Sequence, residues 1–137
     1  MTTSDPRPAS RRAVEIDGFA HRNPIPAASR LGPLMVSSMV VGYDPGTTVV
    51  PQDPAAQVRN VFEHAAAILA AGGATWDDVV RMTFYVPDLA LRQVVNAPWL
   101  EIFPDPATRP ARVTHASDSS LGIRAELIAF VQAGSGR

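Results

Sequence analysis

The chain has no cysteine among its 137 residues, which excludes disulfides, thiolate nucleophiles and cysteine-ligated metals. Its histidines are few and scattered: His21, His64 and His115. None has the close spacing of a helical metal-binding pair, so no metal site is expected. No apolar run approaches the roughly 18 residues that span a bilayer. Arg11-Arg12 is not followed by an apolar segment, so neither a Sec nor a twin-arginine signal is read, and the expected location is cytoplasmic. Charge of one sign is also missing: 12 basic and 13 acidic residues leave a formal net charge of −1. That balance offers no electrostatic footprint for nucleic acid or an anionic membrane.

What is present is a globular composition, 46% hydrophobic and 18% charged, in a length that suits one domain with one core. Residues 1–12 are rich in Thr, Ser, Pro and Arg without periodicity and read as a disordered tail. Ala133-Gly134-Ser135-Gly136-Arg137 reads as a short flexible end. Residues 13–132 form a single unit with no linker and no internal repeat.

Ala13 to Ile16 is a strand candidate, Leu34 to Val41 a stronger one, and Tyr43-Asp44-Pro45-Gly46-Thr47 is turn chemistry before Val49-Val50. Asp53 and Pro54 have N-cap and first-turn character. Val58, Val61, Phe62, Ala65, Ile68, Leu69 and Gly72 then recur at helical spacing, and Gly72-Gly73 supplies the stop. His64 falls at the edge of that face, as a surface or boundary residue. Thr75 and Asp78 have capping-box spacing for a single turn. Residues 80–86 alternate as a strand. Asp88 can cap a second helix, with Leu89, Val94, Val95, Trp99 or Leu100, and Phe103 as its apolar side. Pro98 predicts a kink or a fresh start near Asn96. Two strands follow, at about 111–117 and 121–131. The pattern predicts an α+β layer, a single sheet with two helices on one face. Apolar residues on both strand faces predict that the bare face is buried by oligomerisation.

The closing strands carry the chemistry. Arg112 starts one strand, and Glu126 lies inside the apolar run Ile123 to Val131. Side by side in an antiparallel pair, Arg112 would offer a planar fork to a substrate carboxylate, and Glu126 would hold or deprotonate a water. An internal Arg–Glu ion pair on a sheet face is the alternative. Strand alternation puts Arg112 and Thr114 on one face and His115 on the other, which favours a structural or surface role for His115. Arg30 reads as a solvated loop arginine, or as an anion contact at a pocket rim.

Pro110-Ala111-Arg112, followed by Arg124-Ala125-Glu126-Leu127-Ile128-Ala129, resembles the closing signature of the YjgF/RidA family of reactive-intermediate (enamine/imine) deaminases. Pro24 to Gly32 with Met35-Val36-Ser37-Ser38 resembles its first substrate-side loop and strand. Gln57 to Gly72, Trp76 to Val86 and Val95-Asn96 with Phe103 match its later elements in order, so the likeness covers roughly residues 20 to 132. The resemblance implies a chorismate-mutase-like fold and a homotrimer with a central barrel. It places active sites in clefts between subunits and needs no cofactor. Arg112 would then bind the substrate carboxylate and Glu126 would position water. Asn96 would lie near the pocket, with local capping around Pro98 as the other account. Thr114 stands where many members carry cysteine, and its backbone N–H could reach substrate. Ile25 stands where the family often has tyrosine, and Ser38-Met39-Val40 replaces Ser-Gly-Gln, so the pocket wall is more apolar.

The expected partner is therefore a small molecule with a carboxylate, with no nucleic acid and no membrane. The expected reaction is hydrolysis of an enamine or imine to a ketone or 2-oxo acid plus ammonia. A lyase, isomerase or hydrolase acting on a larger apolar substrate is one alternative, and a non-catalytic ligand-binding trimer another.

Overall fold

A computed structural model describes residues 10–132. Two-residue periodicity gives its longest strand, β5 (Val79–Val86), two unlike faces. Met82, Phe84 and Val86 are buried on one face, and Arg81, Thr83 and Tyr85 point to the other. The last strand, β7 (Arg124–Phe130), buries Ala125, Leu127 and Ala129 on the first face and turns Glu126, Ile128 and Phe130 to the second. The two strands pair antiparallel, Met82 opposite Leu127 and Thr83 opposite Glu126.

On the far side of β7 the sheet continues antiparallel through β3 (Leu34–Ser37), β2 (Ala28–Leu31) and β1 (Arg12–Val14). On the other side of β5 lies β6 (Ala111–Ala116), parallel to it. A parallel neighbour needs a crossover, and the helix between β5 and β6 provides one. The strand order is β1-β2-β3-β7-β5-β6, with a two-residue strand β4 (Val40–Val41) also on β7.

Several expected boundaries move. Arg12 is already in β1, opposite Arg30, so it does not belong to the expected tail. Residues 1–9 and the expected flexible end, 133–137, lie outside the described residues. The loop expected over 24–32 contains β2, because Gly32-Pro33 forms a two-residue hairpin turn between Leu31 and Leu34. Gly32 takes φ 56° there, a value open to glycine. Val49-Val50 is not a strand; the Asp44 N–H donates to the Val49 carbonyl at 2.8 Å and closes a loop instead.

The strand expected over 34–41 is interrupted. Val36 pairs with Ile128 and Val40 with Ala125, so Ser37, Ser38 and Met39 stand opposite only Glu126 and Leu127. This is a β-bulge. Ser37 Oγ replaces a lost ladder acceptor, taking the Leu127 N–H at 2.9 Å.

Helix α1 (Pro54–Ala71) begins as its sequence dictates, with Asp53 accepting from the Ala55 N–H, and Gly73 carries the positive φ (78°) after its end. Its buried face is the expected one, with Gln57 and His64 added. His64 is buried rather than a surface residue, because its Nε2–H donates to the Tyr43 carbonyl at 2.7 Å. Gln57 accepts the Ile123 N–H at 2.9 Å and donates to the Pro51 carbonyl at 2.7 Å. Asn60 donates to the Gly42 carbonyl at 3.2 Å. Residues 57, 60 and 64 thus form one polar ridge that satisfies loop main chain.

Thr75 and Asp78 form the expected capping box around the turn Trp76–Asp78. Helix α2 (Arg92–Ile102) runs through Pro98 without a fresh start near Asn96. A 3-10 turn, Leu89–Leu91, capped by Asp88, launches it earlier, and buried Val95 and Trp99 hold it on either side of the proline. Leu100 is the exposed member of the expected pair.

Helix α1 has no basic residue in its last turn. Arg30 on β2 supplies the missing charge: its Nη1 donates to the Gly72 carbonyl at 2.6 Å, and Arg12 Nη2 approaches the same oxygen at 3.5 Å. Arg30 is therefore a helix cap in trans, neither a solvated loop arginine nor a pocket-rim anion contact. Arg30→Ala removes a charge-assisted bond at a helix C-terminus and is expected to lower stability by about 1–2 kcal/mol. Urea melts measure this, and an unchanged midpoint would show that the cap is not held by Arg30.

Candidate functional site

Arg112 and Thr114 pair with Met82 and Phe84 on β5, so both project to the helix-covered face. There the Arg112 guanidinium meets α2. Its Nη1 donates to Asn96 Oδ1 at 2.8 Å, and its Nη2 to the Arg92 carbonyl at 3.1 Å. It lies 5.5 Å from the Phe84 ring centroid and 5.2 Å from that of Trp99. Two aromatic rings and two neutral acceptors thus fix the fork. Among the described residues it makes no ion pair, so the internal Arg–Glu bridge is not formed. Partial burial, and then the nearby Arg92 cation, lower its pKa from the ordinary arginine value. Guanidinium nevertheless stays protonated in proteins. A fixed and unneutralised cation is the chemistry an anionic ligand needs.

Glu126 lies elsewhere. It is half-buried on the opposite face, opposite Thr83. A recess of about 140 Å³ opens beside it, lined among others by Val36, Arg81, Thr83 and Ile128. Its Oε1 accepts from the Tyr85 hydroxyl at 3.0 Å. The expected antiparallel neighbourhood of Arg112 and Glu126 is corrected here: β5 lies between their strands, and the two side chains point to opposite faces. The sequence pattern shows two strands in succession but not the strand that inserts between them.

The remaining expected site residues fall into place around these two. Asn96 is on α2, bonded to Arg112, so its partner is the guanidinium rather than a cap for Pro98. Ser38 is in the bulge across from Glu126, and its N–H donates to the Ala27 carbonyl at 2.9 Å. Ile25 is exposed and, with Met39, lines a groove of about 670 Å³ that also meets His21, Tyr43, Val50 and Leu121. One chain therefore presents three separate pieces: Arg112 with Asn96 and Thr114, Glu126, and the Ile25–Met39 groove.

His115 is on the face opposite Arg112, as alternation requires, stacked on Tyr85 at 5.4 Å. Arg109 caps the end of α2, with its Nε on the Phe103 carbonyl at 2.9 Å. Sequence reasoning missed Tyr85, Trp99 and Arg92 as neighbours of the two charged residues. Tyr85 had a signal, a phenol on the same strand face as Thr83 once 80–86 is read as a strand. Arg92 acts through its main-chain carbonyl, which no side-chain pattern reveals. No group of three histidine, aspartate or glutamate side chains that could hold a metal converges among the described residues. No helix among them is long and apolar enough to cross a membrane.

The family model described as Endoribonuclease L-PSP matches residues 13–124. A protein of Salmonella typhimurium named 2-iminobutanoate/2-iminopropanoate deaminase is 37% identical over 83 residues, 60% of this chain and 65% of that protein. The crystal structure of the YjgF gene product from Escherichia coli superposes with a TM-score of 0.76 at 30% identity, over 88% of this chain and 99% of the other. RidA from an Antarctic Psychrobacter superposes with a TM-score of 0.79 at 27% identity, over 88% and 99%. The matched family model covers most of the chain, the fold of one sheet with two helices superposes on that of the YjgF gene product, and the chain belongs to the YjgF/RidA (Endoribonuclease L-PSP) family.

Proposed function

We propose that the protein hydrolyses a carboxylate-bearing enamine or imine to a ketone or 2-oxo acid plus ammonia, at a cleft between subunits. The observation that carries this is the fixed Arg112 fork, held by Asn96 and by main chain and lacking any carboxylate of its own. Relatives named as iminobutanoate/iminopropanoate deaminases support the reaction class. The net charge of −1 argues against a nucleic-acid substrate, whatever the family description says.

In this reading Arg112 takes the substrate carboxylate in a paired contact and thereby orients the C=N group. Thr114 follows two residues on, in the last strand of the sheet, and in this reading its backbone N–H reaches the same ligand. The enamine tautomerises to the imine. Glu126 holds a water, removes a proton as the oxygen adds to the C=N carbon, and returns it to nitrogen. The carbinolamine then collapses: Glu126 carries the hydroxyl proton to nitrogen, the C–N bond breaks, ammonia leaves and the C=O bond forms. No cofactor enters these steps.

Arg112 and Glu126 on opposite faces cannot serve one substrate within one chain. The open face carries exposed Leu31, Leu34, Val36, Ile128 and Phe130 on three adjacent strands. A contiguous apolar patch of this kind is the mark of an interface. Cyclic assembly through it would bring Glu126 of one subunit toward Arg112 of the next, and a homotrimer is the proposed closure. The separate Ile25–Met39 groove favours a second reading, a lyase, isomerase or hydrolase for a substrate with a larger apolar substituent.

Sedimentation at micromolar concentration is expected to give about three subunit masses; a stable monomer would sink the shared site. Arg112→Ala is expected to abolish turnover while the chain stays folded, since it removes aromatic contacts worth about 0.5–1 kcal/mol each. Arg112→Lys should also be impaired, because one ammonium cannot reproduce a fork. Loss of folding in Arg112→Ala would make its role structural.

Glu126→Gln keeps the shape and removes the proton acceptor. Turnover of freshly generated imines is expected to fall by about 10²-fold or more, with carboxylate affinity by calorimetry little changed. Equal turnover in the variant would remove Glu126 from the reaction. Binding without turnover in the wild type, across a broad imine panel, would make the protein a ligand-binding member of its family.

A further inference from the structure

Glu126 has one oxygen engaged and one free. Oε1 accepts from Tyr85, and among the described residues no donor reaches Oε2. The phenol that makes this contact is itself held. Tyr85 pairs with Arg124 on β7 and His115 on β6, and all three project to the open face. Its ring stacks on His115 at 5.4 Å, with the planes 25° apart, and the Arg124 guanidinium lies 5.5 Å from its centroid. Arg124 is anchored in turn, Nη1 on the Gly122 carbonyl at 2.7 Å and Nη2 on Ser117 Oγ at 2.8 Å. Glu126 sits two residues beyond Arg124, within diagonal reach of the phenol. Arg81 completes the charged surroundings, turned away onto Thr83 Oγ1 at 3.2 Å.

We propose that Tyr85 is a positioning residue for Glu126: its hydroxyl fixes Oε1, so that Oε2 is the oxygen presented to the attacking water. The proposal rests on the deaminase reading for its kinetic consequence, while the contact itself can be tested without turnover. The same contact acts on the phenol. Donation to Glu126 requires the proton, so that hydrogen bond raises the Tyr85 pKa above 10.0. Desolvation and the Glu126 charge add to the rise, against the opposing pull of Arg124 and Arg81.

The chain has two tyrosines, so Tyr43→Phe leaves Tyr85 as a single reporter phenol. Near-ultraviolet titration of that variant is expected to show ionisation above the ordinary tyrosine range. Adding Glu126→Gln should bring it down toward the ordinary tyrosine value, because the carboxylate acceptor and its charge are gone. Identical titrations would overturn the contact. Tyr85→Phe keeps the ring and both its stacking partners and removes only the hydroxyl. In an active wild-type background it is expected to lower kcat about three- to tenfold with KM unchanged. Unchanged kcat would overturn the positioning role and leave the deaminase reading standing. An inactive wild type would overturn that reading and the kinetic role together, and the titration would still decide the contact.

Discussion

One residue of parity on the central strand governs where the chemistry can happen. Arg112 lies beside Met82, and Glu126 lies beside Thr83, the next residue along. Adjacent strand residues point to opposite faces, so the guanidinium meets helix α2 while the carboxylate meets the open side. A slip of one register would exchange the faces of Met82, Phe84 and Val86. Each is worth roughly 1.5–3 kcal/mol when buried, so three together approach the whole stability of a small domain, about 5–15 kcal/mol. Core packing thus fixes the register, and the register separates the two charges.

The second constraint is the bulge across from Glu126. Three residues, Ser37 to Met39, face two, and Ser37 Oγ keeps the Leu127 N–H satisfied where the ladder fails. Bulges re-aim side chains near binding sites. Here the bulge carries Ser38 and Met39, both singled out by the family resemblance. The polar ridge of Gln57, Asn60 and His64 works on a neighbouring segment, tying residues 42–44 and 123 to α1. A residue such as His64 is conspicuous as chemistry in sequence. Its single bond to the Tyr43 carbonyl accounts for it as structure.

Much of the layer was legible because its signals are local. Helix α1 followed from Asp53, Pro54 and the apolar spacing, β5 from strict alternation, and the capping box from Thr75 and Asp78. Asn96 was singled out through resemblance, and the structure bonds it to Arg112. What was not legible depends on pairing at a distance. Nothing in residues 111–131 tells that β5 enters between the last two strands, so the Arg112–Glu126 neighbourhood was misread. Arg30 looked like a loop residue because the oxygen it caps lies 42 positions away. The break at Ser37–Met39 is set by the partner strand's register and leaves no local mark.

The separation of Arg112 from Glu126 has a chemical use in the proposed cleft. Side by side, the two would neutralise each other, and an incoming carboxylate would have to displace Glu126 before it could bind. With a sheet between them, Arg112 keeps its charge on an aromatic shelf, and Arg92 adds a second positive charge nearby. Glu126 stands on the other face, with Tyr85 occupying one oxygen. If a neighbouring subunit supplies the second group, cation and carboxylate meet the substrate from different chains, spaced by the substrate itself. The carboxylate end of the ligand then goes to the fork and the C=N carbon to the base. Coulomb attraction between the two protein groups cannot collapse that spacing, because each is anchored to its own sheet by contacts already formed within one chain.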